Sequence, residues 1–90
     1  MNNNKLALAS LAMDLKRMAL GYYRGSPNTA KRFFKEALKR RDEVDQNAVK
    51  PYLRKLLVGL NTITREKDRQ KIAEDALMYS TLFQNAALAK

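Results

Sequence analysis

Apolar residues recur three and four positions apart in four separate stretches of this chain, and Gly, Pro, Asn or acidic residues stand between the stretches. That spacing lines up side chains on one face of an α-helix and has nothing of the period of two that a strand needs. Helix one, over 4–22, gathers Leu8, Leu11, Ala12, Leu15, Met18, Ala19 and Tyr22. Helix two, over 27–43, gathers Ala30, Phe33, Phe34, Ala37 and Leu38. Helix three, over 48–61, gathers Val49, Tyr52, Leu53, Leu56, Leu57, Leu60 and Ile63 just past its end. Helix four, over 65–88, gathers Ile72, Ala73, Ala76, Tyr79, Phe83 and Ala86. The expectation is an all-α chain with one domain over 1–90, built as a four-helix antiparallel bundle or as two stacked helical hairpins.

The breaks have local causes. Gly21 and Gly25 flank Tyr22-Tyr23-Arg24, and Ser26-Pro27 then offers an N-cap followed by a proline at the first helical position, where a missing N–H costs nothing. Asp42, Glu43, Asp45 and Asn47 mark the second break, and Pro51 belongs in the first turn of helix three. The third break is the least marked: Gly59, Asn61, Thr62 and Thr64 weaken a helix, and Thr64 is the expected cap of helix four.

Helices one and four carry second apolar groups that one small bundle has no room to bury. Leu6, Ala9, Met13 and Leu20 lie roughly opposite the first stripe of helix one, and Leu77, Met78, Leu82 and Leu88 form a second group on helix four. Helices two and three keep their outer faces charged. The expectation is a homodimer formed through Leu6, Met13, Leu20, Leu77, Met78, Leu82 and Leu88.

Charge supplies the functional clue. The chain has 18 basic and 9 acidic residues, a formal net charge of +9. Six of the eleven residues from Lys31 to Arg41 are Lys or Arg, and Glu36 alone is acidic. Such an excess favours an acidic protein segment, nucleic acid or an anionic surface. The candidate binding face is Arg24, Lys31, Arg32, Lys35, Lys39, Arg54 and Lys55, merging if helices two and three are neighbours. Arg suits bidentate carboxylate pairing and Lys acts as a point charge. No zinc-finger spacing or RNP-type aromatic motif points to specific base readout. Membrane-surface binding is weaker, because the basic helix lacks Trp and its apolar face belongs to the core. Tyr23, beside Arg24, is the tyrosine to examine for an exposed ring. Asp14, mid-helix beside the apolar stripes, is either a buried partner for a cation or a surface acid.

Catalysis, metal and cofactor are not expected. There is no His for proton transfer and no Cys nucleophile or thiolate ligand. Gly21 and Gly25 match neither phosphate-loop pattern. Asp42, Glu43 and Asp45 lack the spacing of a calcium loop and read as turn carboxylates. No run reaches the roughly 20 apolar residues of a membrane span; the longest uncharged run, Ala76 to Ala89, has fourteen. The expected location is cytoplasmic.

Leu15, Met18, Ala19 and Tyr22 have the spacing of a W-x2-L-G-x2-Y helix, and Gly25, then Ala30-Lys31-Arg32-Phe33-Phe34, then Ala37-Leu38 continue the pattern. Residues 15–38 thus resemble a single tetratricopeptide-type helical hairpin. Leu15 stands for Trp, Ala19 for Gly and Asp42 for the usual Pro, and the turn is one residue shorter. The resemblance implies a peptide- or protein-binding scaffold and no particular contact residue. The sequence therefore reads as a non-enzymatic, self-associating interaction module that docks an acidic partner on its basic face. The alternative is a nucleic-acid-binding accessory protein using the same cations on phosphates.

Overall fold

The computed structural model describes residues 3–89; of the expected 1–90 unit, residues 1, 2 and 90 lie outside the described residues. The described residues form four α-helices and no strand: α1 (Asn3–Tyr23), α2 (Pro27–Asp42), α3 (Pro51–Gly59) and α4 (Arg69–Leu88). α1 is the central helix, packed on one side by α2 and on the other by α4. Three observations set the direction of α4. Tyr22 shares a cavity with Arg69 and Ile72. The Ser80 hydroxyl donates to the Ala12 carbonyl at 2.7 Å. Leu8 shares a cavity with Ala86 and Ala89. α4 therefore runs antiparallel to α1, and the architecture is the expected antiparallel all-α bundle.

The α1–α2 connection is closed by its own backbone. Gly25, at φ 76°, takes the left-handed conformation. The Ser26 N–H then reaches the Gly21 carbonyl at 2.8 Å, and the Gly25 N–H reaches that of Tyr22 at 3.1 Å, so orphan carbonyls of α1 are satisfied. Ser26 occupies the N-cap position of α2 but its side chain makes no capping bond; Pro27 opens the helix as expected. Gly21 is needed for a second reason. A Cβ there would lie 3.0 Å from the Ala30 nitrogen and 3.1 Å from its Cα, so a side chain would push the two helices apart.

Helices three and four begin later than expected. Gln46–Ala48 is a separate 3-10 turn, capped by Asp45, whose carboxylate accepts the Asn47 N–H at 3.0 Å. Val49 is extended, and so is Lys50, as the residue before a proline prefers, so α3 starts at Pro51 rather than at 48. The α-helix ends at Gly59 and continues as a 3-10 segment, Leu60–Arg65. In that segment the Thr62 hydroxyl donates to the Gly59 carbonyl at 2.8 Å, competing with the regular helical pattern. Thr64 lies inside the segment and does not cap α4; Asp68 does, accepting the Gln70 N–H at 2.9 Å.

The core contains most of the expected stripes. Leu11, Leu15, Met18, Leu57, Leu60 and Phe83 are its largest fully buried side chains. Ala12, Ala19, Ala30, Ala37, Ala73 and Ala76 are buried as well, small enough to let α2 and α4 approach α1 closely. Tyr52 departs from its stripe: it is 52% exposed, because α3 starts at Pro51 and Tyr52 sits in its first turn, at the edge of an open cavity shared with Leu8 and Ala86. Among the described residues no helix is long and apolar enough to cross a membrane.

Candidate anion-docking cleft

α2 presents its cations in two directions. Lys31 and Lys35 lean towards α4 and, with Tyr22, Pro27, Phe34, Thr64, Lys67, Arg69 and Ile72, line an open cleft of about 420 Å³. Four cations thus surround a floor made by Tyr22, Phe34 and Ile72. No acidic side chain lines the cleft, and none of the four cations makes an ion pair or side-chain hydrogen bond among the described residues. The first turns of α2 and α4 both open onto it, adding the positive ends of two helix dipoles.

Lys67 and Arg69 were not in the expected binding face, because in sequence each sits beside an acid: Glu66-Lys67-Asp68-Arg69 looks self-neutralising. The structure turns those acids back onto the chain. Glu66 accepts the N–H groups of Lys67 at 3.0 Å and Asp68 at 3.3 Å, and Asp68 caps α4. The carboxylates are spent on backbone donors while the cations project into the cleft. The signal available in sequence is Asp68 itself, a strong N-cap residue just ahead of the Ile72 and Ala73 stripe.

The other expected cations go elsewhere. Arg32 lies over the Phe33 ring at 5.2 Å, with Arg17 of α1 at 5.8 Å from the same ring. Lys39 pairs with Glu36 at 3.4 Å. Arg24 is exposed in the α1–α2 turn, and Arg54 and Lys55 are exposed on α3, outside the cleft. α2 packs principally on α1, and Arg41 links it towards the third helical stretch by donating to the Asn61 side-chain oxygen at 2.6 Å. The basic surface of α2 is thus continued by Lys67, in the link after the 3-10 segment, and by Arg69 at the start of α4.

Asp14 is the buried partner of a cation. It lies in the α1–α2 seam, 4.0 Å from Arg40 Nε and 3.7 Å from Arg17 Nη1. Burial pushes its carboxyl above the ordinary value, against the pull of Arg40 and Arg17, and Glu36 adds to the rise. Arg40 Nε is shielded from solvent and makes no hydrogen bond. The turn acids are engaged locally: Asp42 with Arg41 at 3.3 Å, Glu43 with Arg40 at 3.3 Å, and Asp45 as a cap.

The apolar residues expected to form a dimer interface point in three directions. Met13 and Leu77 share a groove between α1 and α4. Leu6 lines a different groove, with Arg40 and Glu43 of α2. Met78 lines a third, with Thr62, Ile63 and Tyr79, and Leu82, one turn on, follows its side of α4. Leu20 and Leu88 are exposed. No family model matches this chain, and neither a curated protein nor a solved structure matches it.

Proposed function

We propose that this chain is a non-enzymatic interaction module that docks an acidic protein segment in the cleft between α2, the 3-10 segment and α4, and that associates with a second copy of itself through α1 and α4. One observation carries the docking reading: Lys31, Lys35, Lys67 and Arg69 surround an apolar floor with no acid on the wall. A segment with carboxylates either side of an apolar residue uses both parts of such a site, the cations for orientation and the floor for desolvated contact. A nucleic-acid backbone would use only the rim. Tyr22 and Phe34 are half-buried against the core, which leaves little ring face for the successive base stacking that single strands favour.

The test is fluorescence anisotropy with three labelled probes across a salt series: a peptide alternating Glu with Leu, duplex DNA and single-stranded RNA. Two variants carry equal charge changes, Lys35→Glu with Arg69→Glu inside the cleft, and Arg54→Glu with Lys55→Glu outside it. The expected result is that the peptide binds best and that the cleft variant weakens it about tenfold or more, while the α3 variant changes it far less. Tighter binding of duplex or RNA than of the peptide, with a steep salt slope removed by the cleft variant, replaces the acidic-segment reading with the nucleic-acid one. Equal losses in the two variants restore the wider face that includes α3.

A further inference from the structure

We propose that the contact between copies is the sparsely charged groove between α1 and α4, centred on Met13 and Leu77, closed by a second chain related by a two-fold axis. This rests on the self-association in the reading above and assigns its surface.

The groove has a volume of about 360 Å³ and is lined by Ala12, Met13, Lys16, Leu77, Ser80 and Thr81, with Gln84 and Asn85 at its end. Met13 is 50% exposed and Leu77 40%. The exposed side chains along it keep heptad spacing. Met13 and Leu20 are seven apart on α1, and Leu77, Thr81, Gln84 and Leu88 follow by four, three and four on α4; Leu6, seven before Met13, lines the groove beside α2 instead. Those are the intervals at which one helix pair meets another in a shallow left-handed crossing.

Charge argues for a second copy as the occupant. Each chain carries +9, so two copies repel unless they meet where cations are scarce. The runs Leu6–Met13 and Ala76–Ala89 hold no charged residue, and Lys16 is the one charge lining the groove. Its long stem can lie along the apolar surface with the ammonium at the rim. An acidic partner would gain nothing from this face and has the cleft instead. A two-fold contact sets the same surface against itself, so Met13 and Leu77 of one copy would meet those of the other, with the Gln84 and Asn85 amides, each both donor and acceptor, at the end of the groove. Size agrees. Helices of 21 and 20 residues are each about 30 Å long, and side by side offer roughly 600 Å², near the ~800 Å² per partner of a standard interface. Met78 lies about 100° round α4 from Leu77, on the neighbouring groove with Ile63, and with Leu82 one turn on falls outside this contact.

Sedimentation velocity over a concentration series tests the assignment with the full chain and three single variants, Met13→Lys, Leu77→Lys and Met78→Lys. All three sites are exposed and each substitution adds one positive charge, so circular dichroism should show unchanged helicity. The expected result is a dimer at micromolar concentrations that Met13→Lys and Leu77→Lys each weaken tenfold or more and that Met78→Lys leaves within a factor of two. A dimer broken by Met78→Lys and kept by the other two overturns the groove while self-association stands. A wild-type chain that is monomeric at hundreds of micromolar overturns self-association and this interface together.

Discussion

α1 makes two seams of similar closeness and opposite chemistry. Against α4 it packs through small side chains, Ala12 facing Ser80 and, by the antiparallel register this sets, Ala19 facing Ala73 with Ala76 between, and the Ser80 hydroxyl donates to the Ala12 carbonyl. Against α2 it packs through Gly21 and Ala30, yet the same seam buries Asp14 beside Arg40 and stacks Arg17 and Arg32 on Phe33. The difference shows how one central helix serves two purposes. A seam of small side chains leaves its outer edge with a single cation, Lys16, beside Met13 and Leu77. A polar seam uses its charges for internal pairing, which fixes the pose of α2 and so aims Lys31 and Lys35 at the cleft.

Four substitutions break or sharpen this contrast. The largest effect is expected on the α4 side, where Phe83 is fully buried and rings with Tyr79 at 6.1 Å between centroids. Phe83→Ala should cost about 3–5 kcal/mol in urea unfolding, much of the roughly 5–15 kcal/mol of an ordinary domain. Gly21→Ala tests the α2 seam. In most helices that change stabilises, but here the added Cβ meets the Ala30 backbone, so a loss of about 1–3 kcal/mol is expected. A gain would show that α2 slides away freely. Ser80→Ala removes the polar link of the α4 seam and should cost about 1 kcal/mol by thermal melting.

The smallest effect, and the one with a pH signature, is Asp14→Asn. Burial raises the Asp14 carboxyl in the folded chain, so the folded state binds its proton more tightly than the unfolded state does. The contribution of Asp14 to stability is then most favourable below the ordinary carboxylate range and falls as pH rises through the raised value. Asn stays neutral throughout. The variant should melt slightly above wild type at pH 7 and converge with it in acid. A variant that melts lower at pH 7 would mean that the pairing with Arg40 and Arg17 outweighs the cost of burial.

Much of the fold is legible in local rules. Pro27 and Pro51 open helices because they lack an N–H, Gly25 closes α1 because only its backbone takes the left-handed turn without strain, and Leu11, Leu15, Leu57 and Phe83 are buried because they fall on the apolar stripe. The start of α4 is not fixed by local rules, because Thr64 and Asp68 are both competent caps and the choice depends on whether Leu60–Arg65 winds as an α- or a 3-10 helix. The candidate site was half legible: Lys31 and Lys35 stand in the dense basic run, whereas Lys67 and Arg69 are disguised by neighbouring acids.

The sequence by itself determined the helices, the core stripes, the excess positive charge and the uncharged stretches of α1 and α4. Tertiary structure alone decided that Lys31 and Lys35 meet Lys67 and Arg69, that Asp14 meets Arg40, and that adjacent Leu77 and Met78 open onto different grooves. The reason is geometric. Periodicity sets where a side chain lies around its own helix axis, but which neighbour occupies that direction depends on how the helices are arranged around α1, and no local spacing encodes that.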